Sequence, residues 1–502
     1  MSNQIWKVYD APPSASSMIE SLRGLGYSPA TALADLIDNS IAAGASKVDL
    51  TFCWKGDQRY ITVQDDGCGM TDEELFSAMR LGHLDPLGER SKRDLGRFGL
   101  GLKTASFSQC RSLTVLSKKK GHASCSLRWD LDYLAADTQS RWQILEEPGK
   151  DAATLRPAFE EIEQGTLVVW EKLDRIITSG FSIDDFLELT DVVESHLALT
   201  FHRFLQGTRP ELVLTINGRR IRARDPFMQE HPATMSTTED FLQTGGGRIC
   251  LQGFVLPHKD MLSSQDVNEM GDPANWTESQ GFYVYRNRRL LVAGSWLGLG
   301  KGGRSWSKEE AYRLARIRLD IPNTADSDWK LDIRKSRASP PASIKKRLLL
   351  LAEDVRDKAR HVFAYRGAYK KRTSAGGEVE NIWEVCHGRN DVRYHISRKH
   401  PAVEALLAGD PEIGKAVESL LVLIENTVPV QRIWLDAAEG RDAPRRIDDA
   451  TPSDVMQEIL LTVYKNRIRH GNCTPQEVRR QLLLAEPFSE FPELVESLPD
   501  MI

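Results

Sequence analysis

ALADLIDNS, residues 32–40, lies inside SPATALADLIDNSIAAG, which opens with Ser-Pro and closes at Gly44, the start and stop signals of a helix. On that helix Asp35 and Asn39 are four residues apart and share one face, while Leu36, Ile37 and Ile41 can point into a core. A carboxylate and a carboxamide then look into the same space. The first can orient or deprotonate a water, and the second offers a hard oxygen to Mg²⁺. Taken alone, the spacing also fits a polar helix face turned to solvent.

Outward from this helix, SASSMIESLRGLG before it reads as a second helix, and two runs of β-formers after it, 47–53 and 60–63 around the turn-like KGDQ, predict a hairpin. The hairpin runs into DDGCGM, residues 65–70, where Gly67 and Gly69 permit a sharp turn and leave Asp65 at the strand end. An ionised carboxylate only accepts hydrogen bonds, which suits the exocyclic amine of adenine; an ordinary Asp-Gly turn has the same look. Next comes LGHLDPLGERSKRDLGRFGLGLK, residues 81–103, too broken for regular structure at its start and long enough for a lid over 81–97. In its last part Gly96, Gly99 and Gly101 let the backbone approach phosphate oxygens, a helix from Leu102 would favour anions, and Lys103 and Thr104 add a cation and a hydroxyl. A surface loop is the alternative. GSWLGLGKGGRS, residues 294–305, fails the spacing of a P-loop and reads as a loop of a later domain.

The 502 residues predict about two to four domains. Hydrophobic content of 41% and charged content of 27% are those of folded protein, and a net charge of −5 advertises no global partner. Seven scattered cysteines without a CxxC pair argue against a disulfide framework or a zinc ribbon. No apolar stretch approaches the roughly 20 residues of a membrane helix, and the N-terminus lacks a signal-peptide pattern, so the expected location is cytoplasmic, with no membrane partner. The pattern is α+β over residues 1–205, ending in GTLVVW (165–170) and a helical stretch from 183 to 205. Strands such as LVLTINGRRIRA, RICLQGFVL and GFYVYRNRRLLV mark a β-rich domain over 206–340, a long helix with basic ends and a linker fill 341–375, and 376–502 is mostly helical with one strand-like piece, VRYHI. Cys386 beside His387, and the two histidines of HISRKH, assemble no recognisable metal site.

Together and in this order, ALADLIDNS, DDGCGM, RFGLGLK and GTLVVW resemble the GHKL superfamily of gyrase, the large heat-shock chaperone, sensor kinases and MutL, and look closest to prokaryotic MORC-like and MutL-like ATPases. The resemblance implies a Bergerat fold, a helical layer on a mixed β-sheet with ATP between them, over about residues 15–205. It puts Asp35 in the place of the general-base glutamate, Asn39 at Mg²⁺, Asp65 at adenine, Gly67 and Gly69 in that turn, Gly96, Gly99 and Gly101 along the phosphates, and Thr166 beneath the base; Lys103, Thr104 and Asp38 are further candidates. Asp at position 35 is one methylene shorter than the usual glutamate, moving the carboxylate by about 1.5 Å, so hydrolysis is expected to be slow.

The β-rich second domain resembles the transducer that follows the ATPase in chaperone, MutL and MORC proteins and carries a basic residue to the γ-phosphate. DWKLDIRKS offers Lys330 or Lys335; its K-x-D pattern looks most like MORC proteins and favours Lys330. With no helical domain ahead of the motifs, phosphotransfer to a histidine is not expected. The resemblance thus implies a slow ATPase that closes as a homodimeric clamp, with the segment through Tyr9 as a strap. DNA is the expected partner, in repair or anti-phage restriction, helped by RRIRAR (219–224) and the basic helix ends, with any nuclease or other effector on a separate protein. A chaperone-like remodeller, or a nucleotide-gated module that hardly hydrolyses, are the other readings.

Overall fold

The computed structural model describes residues 13–24, 26–82, 101–137, 139, 141–245, 247–271, 273–302, 304–325, 329–330, 338–364, 381–387, 392–408, 411–430, 454–470, 474–485 and 487–499. The chain divides into two compact units, 1–364 and 365–502.

In the first unit, α1 (Ala15–Arg23) precedes α2 (Pro29–Ala42), the helix of the ALADLIDNS motif. Ser28 caps α2: its hydroxyl accepts from the Thr31 amide while Thr31 Oγ1 accepts from the Ser28 amide, and Pro29 fills the first position, where no amide donor is needed. Residues 32–38 are all buried, both aspartates included, whereas Asn39 is exposed. The strands β1 (Lys47–Lys55), β2 (Gln58–Asp65), β3 (Ser112–Lys118), β4 (Cys125–Asp130) and β5 (Gly165–Glu171) form a sheet with β6 (Val213–Ile216) and β7 (Arg219–Arg220), in the order β4-β3-β5-β2-β1-β6-β7. All neighbours are antiparallel except β1 and β6, so the sheet is mixed.

One sheet face is covered by α2, α4 (Gly101–Phe107) and α7 (Ile183–Thr200), with α3 (Asp72–Met79) and α5 (Leu131–Ala136) at the margin near β4 and α1. The other face is covered at β3 and β5 by α6 (Lys150–Glu160), through Ala152 and Phe159 against Leu116, Leu167 and Val169. Burial on both faces explains why β5, GTLVVWE, is apolar along its length rather than alternating. The short α8 (His202–Leu205) follows α7. The two strands β6 and β7, which the sequence pattern groups with the second domain, instead extend the first sheet.

The second sheet, β12-β11-β15-β10-β8, is built from β8 (Met235–Ser236), β10 (Gly247–Val255), β11 (Gly281–Arg286), β12 (Arg289–Ser295) and β15 (Ala315–Ile321); β9 (Asp240–Thr244) also pairs with β10. Between β12 and β15 the small hairpin of β13 (Gly300–Lys301) and β14 (Arg304–Ser305) occupies the glycine-rich 294–305 segment. The short α9 (Ser264–Met270) lies between β10 and β11, and α10 (Ala342–Ala364) packs on β10 and β15 through Ile344, Leu348, Ala352, Val355, Ala359 and Val362. Their spacing of three and four residues is that of one helix face. The second unit holds a hairpin of Trp383–His387 and Val392–Ile396 and the helices Pro401–Leu407, Pro411–Thr427, Asp454–His470, Pro475–Leu482 and Pro492–Glu496, with Leu460, Tyr464, Val478, Leu482 and Phe488 in its core.

Candidate nucleotide site and its relatives

Asp65 ends β2, directly across from Thr166 at the start of β5, which in turn faces Ser117 on β3. The Asp65 carboxylate is buried and collects three donors: Ser40 Oγ from α2 at 2.7 Å on Oδ2, and the amides of Gly67 at 3.0 Å and Thr166 at 3.2 Å on Oδ1. A carboxylate has about four lone-pair positions, so one remains for a further donor. Burial raises the Asp65 pKa, against the lowering pull of its hydrogen bonds. Thr166 Oγ1 and Ser117 Oγ are 3.0 Å apart, and Ser117 Oγ also accepts from the Met70 amide at 2.9 Å, tying the DDGCGM turn to the sheet. Gly69, with φ +63°, lies so close to β3 that an added Cβ would stand 1.9 Å from the Lys118 carbonyl oxygen. At Gly67 the same atom would meet Asp65 Oδ1 at 3.0 Å.

Above this floor, α2 carries Asp35. The Tyr27 hydroxyl donates to its Oδ2 at 3.0 Å, and the Thr104 hydroxyl hydrogen-bonds the Tyr27 oxygen. Burial, and then the Asp35 charge, hold the Tyr27 pKa far above its ordinary value, so this phenol is a donor. The start of α4 lies alongside: a Cβ on Gly101 would be 3.8 Å from Asp35 Oδ2. Asp35 and Gly101 thus lie together in the helical layer, Asp65, Gly67 and Thr166 lie together at the end of the sheet, and Ser40 on α2 links the two.

Lys103, expected at phosphate, is buried and places its ammonium on the carbonyls of Ala78 at 2.8 Å and Arg80 at 3.0 Å. The end of α3 has orphan carbonyls that favour a cation, and burial lowers the Lys103 pKa to about 8. Lys103 therefore ties α4 to the end of α3, and Thr104 supports Tyr27. Lys330 is exposed, with φ +48°, next to the fully buried Trp329. Gly96, Gly99, Lys335, most of the 81–97 lid segment and the strap through residue 9 lie outside the described residues.

Four residues escape the sequence reading. Ser40 and Ser117 hold Asp65 and the turn, Tyr27 holds Asp35, and Arg289 arrives from the second sheet. Arg289 Nε is 3.2 and 3.1 Å from the two Asp38 oxygens, and its Nη2 is 3.6 Å from Asp35 Oδ1. All three side chains are nearly inaccessible to solvent. The SPATALADLIDNS context gives a local signal for Tyr27 and Ser40, whereas Arg289 is 251 residues from Asp38 and has none.

Residues 27–165 match the family described as histidine kinase-, DNA gyrase B-, and HSP90-like ATPase. Among curated proteins, the chain is 33% identical over 93 residues to the ATPase morc-1 of Caenorhabditis elegans, covering 18% of this chain and 10% of that relative. It is 28% identical over 274 residues to the DNA mismatch repair protein MutL of Shewanella baltica, covering 52% of this chain and 38% of that relative. To MutL of Paramagnetospirillum magneticum it is 33% identical over 104 residues, 20% of this chain and 16% of the relative. The chain therefore spans well under half the length of these relatives. The mixed sheet under a helical layer, the buried Asp65 at its end and Asp35 on the facing helix agree with the matched segment: residues 27–165 are a GHKL-type ATPase domain, in a chain with MORC and MutL relatives.

Proposed function

We propose that the first domain binds and slowly hydrolyses Mg·ATP. The observation that carries this is Asp65, buried, fixed by three donors and left with acceptor capacity at the end of the sheet, and tied through Ser40 to the helix that carries buried Asp35 and exposed Asn39. Asp65 accepts from the adenine amine, over a floor that includes Thr166. The donor set fits the metal: the Asn39 carboxamide oxygen on the exposed turn of α2 is a hard ligand that would hold Mg²⁺, whose charge would offset that of the phosphates. Gly96, Gly99 and Gly101 let the chain approach the phosphates. Asp35 orients the attacking water and takes its proton, with Tyr27 donating to Oδ2 at 3.0 Å and Arg289 Nη2 lying 3.6 Å from Oδ1. The short side chain holds the carboxylate back from where a glutamate would reach, which supports slow turnover.

The finer reading is a nucleotide-driven clamp of two chains acting on DNA, in repair or anti-phage defence, in the cytoplasm, with Lys330 reaching the γ-phosphate from the transducer-like domain. The relatives named for mismatch repair support the DNA client. No helix among the described residues is long and apolar enough to cross a membrane. Domain limits of 1–205, 206–340, 341–375 and 376–502 are proposed with the first extended to about 220, because β6 and β7 close its sheet. The test is mass by light scattering and turnover on the same samples, with a non-hydrolysable ATP analogue for the first and duplex DNA or unfolded protein for the second. A dimer with the analogue and turnover raised by DNA are expected; an unchanged monomer contradicts the clamp, and stimulation by unfolded protein alone replaces DNA with a chaperone-like client.

A further inference from the structure

Asp35 and Asp38 lie three residues apart on α2, hence on neighbouring positions of one face, and both are buried. Two carboxylates in a shared low-dielectric site repel unless a cation lies between them. The cation here comes from the other domain. Arg289 opens β12, just after the tight turn at Asn287 and Arg288, both at positive φ. Its guanidinium is fixed on three sides: Nε on both Asp38 oxygens, Nη1 on the Leu290 carbonyl at 2.8 Å, and Nη2 toward Asp35 Oδ1 at 3.6 Å. The flat face sits 5.9 Å from the Phe201 ring. Two other titratable groups lie nearby: Tyr27, whose hydroxyl donates to Asp35 Oδ2, and His196 on α7, whose pKa burial and then Arg289 lower to about 4; both are neutral and neither substitutes for the arginine.

The same β12 strand lines a cleft of about 740 Å³ between the two sheets' domains, with Leu290 to Gly294 on one wall and Thr31, His196 and Thr200 on the other. A change in the width of this cleft therefore displaces the strand that holds Arg289.

We propose that Arg289 is a positioning residue for hydrolysis: it pairs with Asp38, holds the neighbouring Asp35 carboxylate in place, and makes the competence of Asp35 depend on the seating of the second domain. This rests on Asp35 acting as the base. It assigns Asp38 a structural charge rather than a ligand role, and it places the interdomain link on β12, separate from the Lys330 segment.

The test uses the full chain with Arg289→Gln, Arg289→Lys, Asp38→Asn and the Asp38→Asn/Arg289→Gln double variant. For each, kcat and the affinity for a non-hydrolysable ATP analogue are measured. Arg289→Gln is expected to lower kcat on the order of 10- to 100-fold, with nucleotide affinity held within about threefold because Asp65 is untouched. Arg289→Lys, which keeps the charge but not the fork, is expected to restore part of kcat, and it makes the same comparison if the glutamine variant does not fold. The double variant is expected to be no slower than the slower single one, since one pair is lost once. Wild-type kcat in Arg289→Gln, losses that multiply in the double variant, or affinity falling in step with kcat would each overturn the proposal alone. A wild-type chain that binds the analogue but turns over no ATP overturns the role of Asp35 and this inference with it.

Discussion

Asp65 is a buried carboxylate that must stay ionised to accept from adenine, yet burial makes ionisation harder than in water. With its folded-state pKa above the ordinary 3.8, acid protonates this site while typical surface carboxylates remain charged. The sign for stability is opposite to that for binding. A raised folded pKa means protonation favours the folded chain, and the contribution is lost as pH rises through that value. Weakening of ATP binding in acid is therefore not a side effect of unfolding at Asp65. Calorimetric titration with an ATP analogue in successive acid steps is expected to show affinity falling before the pH reaches the ordinary carboxylate value of 3.8, while the fold persists. Affinity that falls only at or below that value contradicts the raised pKa or the role of Asp65. At this scale the residues within one or two turns of the motif were legible: Asp35, Asn39 and Asp65 follow from helical spacing and from a strand-end turn. Arg289 was not, because only the folded chain brings residue 289 to residue 38. The partners of Lys103 and Thr104 were not legible for a related reason, since nothing local shows that the end of α3 presents carbonyls to one and Tyr27 presents its oxygen to the other.

Among the elements, the DDGCGM turn shows how backbone approach constrains sequence. Gly69 and Gly44 both have positive φ, +63° and +76°, but an added Cβ at Gly44 meets nothing within 4 Å while at Gly69 it would run into the Lys118 carbonyl. Gly44→Ala is expected to cost about 1 kcal/mol from the left-handed backbone alone, and Gly69→Ala that much plus the displacement of β3, for a total of about 3 kcal/mol or more. Urea denaturation of the two variants checks the order; equal losses would mean the turn yields without disturbing the sheet. The strands and helices flanking the motifs were legible from periodicity and turn residues, with ends shifted by one to three residues. The helix α3 was overlooked although Thr71 and Glu74 form a capping box whose pattern is visible in TDEE. The placement of β6 was not legible: Asn-Gly announces the hairpin with β7, but which sheet it joins depends on a parallel pairing with β1, more than 160 residues earlier.

Across the molecule, the first unit joins an ATPase domain to a second sheet through the buried contacts of His202 with Tyr285 at 2.8 Å and Arg289 with Asp38, and the part-buried pair of Arg203 with Asp320 at 2.5 Å. A nucleotide-dependent change in the first domain therefore has a direct mechanical route into the second. The unit at 365–502 has its own core, consistent with a separate role. The order of domains was legible in the pattern of elements; the association of α10 with the second sheet was not, because a basic amphipathic helix reads equally well as a linker. The central claim, that one pocket binds ATP through Asp65 and hydrolyses it through Asp35, separates cleanly into two variants. Nucleotide affinity and phosphate release are to be measured on the same preparations of wild type, Asp35→Asn and Asp65→Asn. The account predicts wild-type affinity with turnover lost in Asp35→Asn, and loss of binding itself in Asp65→Asn. Turnover at the wild-type rate in Asp35→Asn, or wild-type affinity in Asp65→Asn, would contradict it.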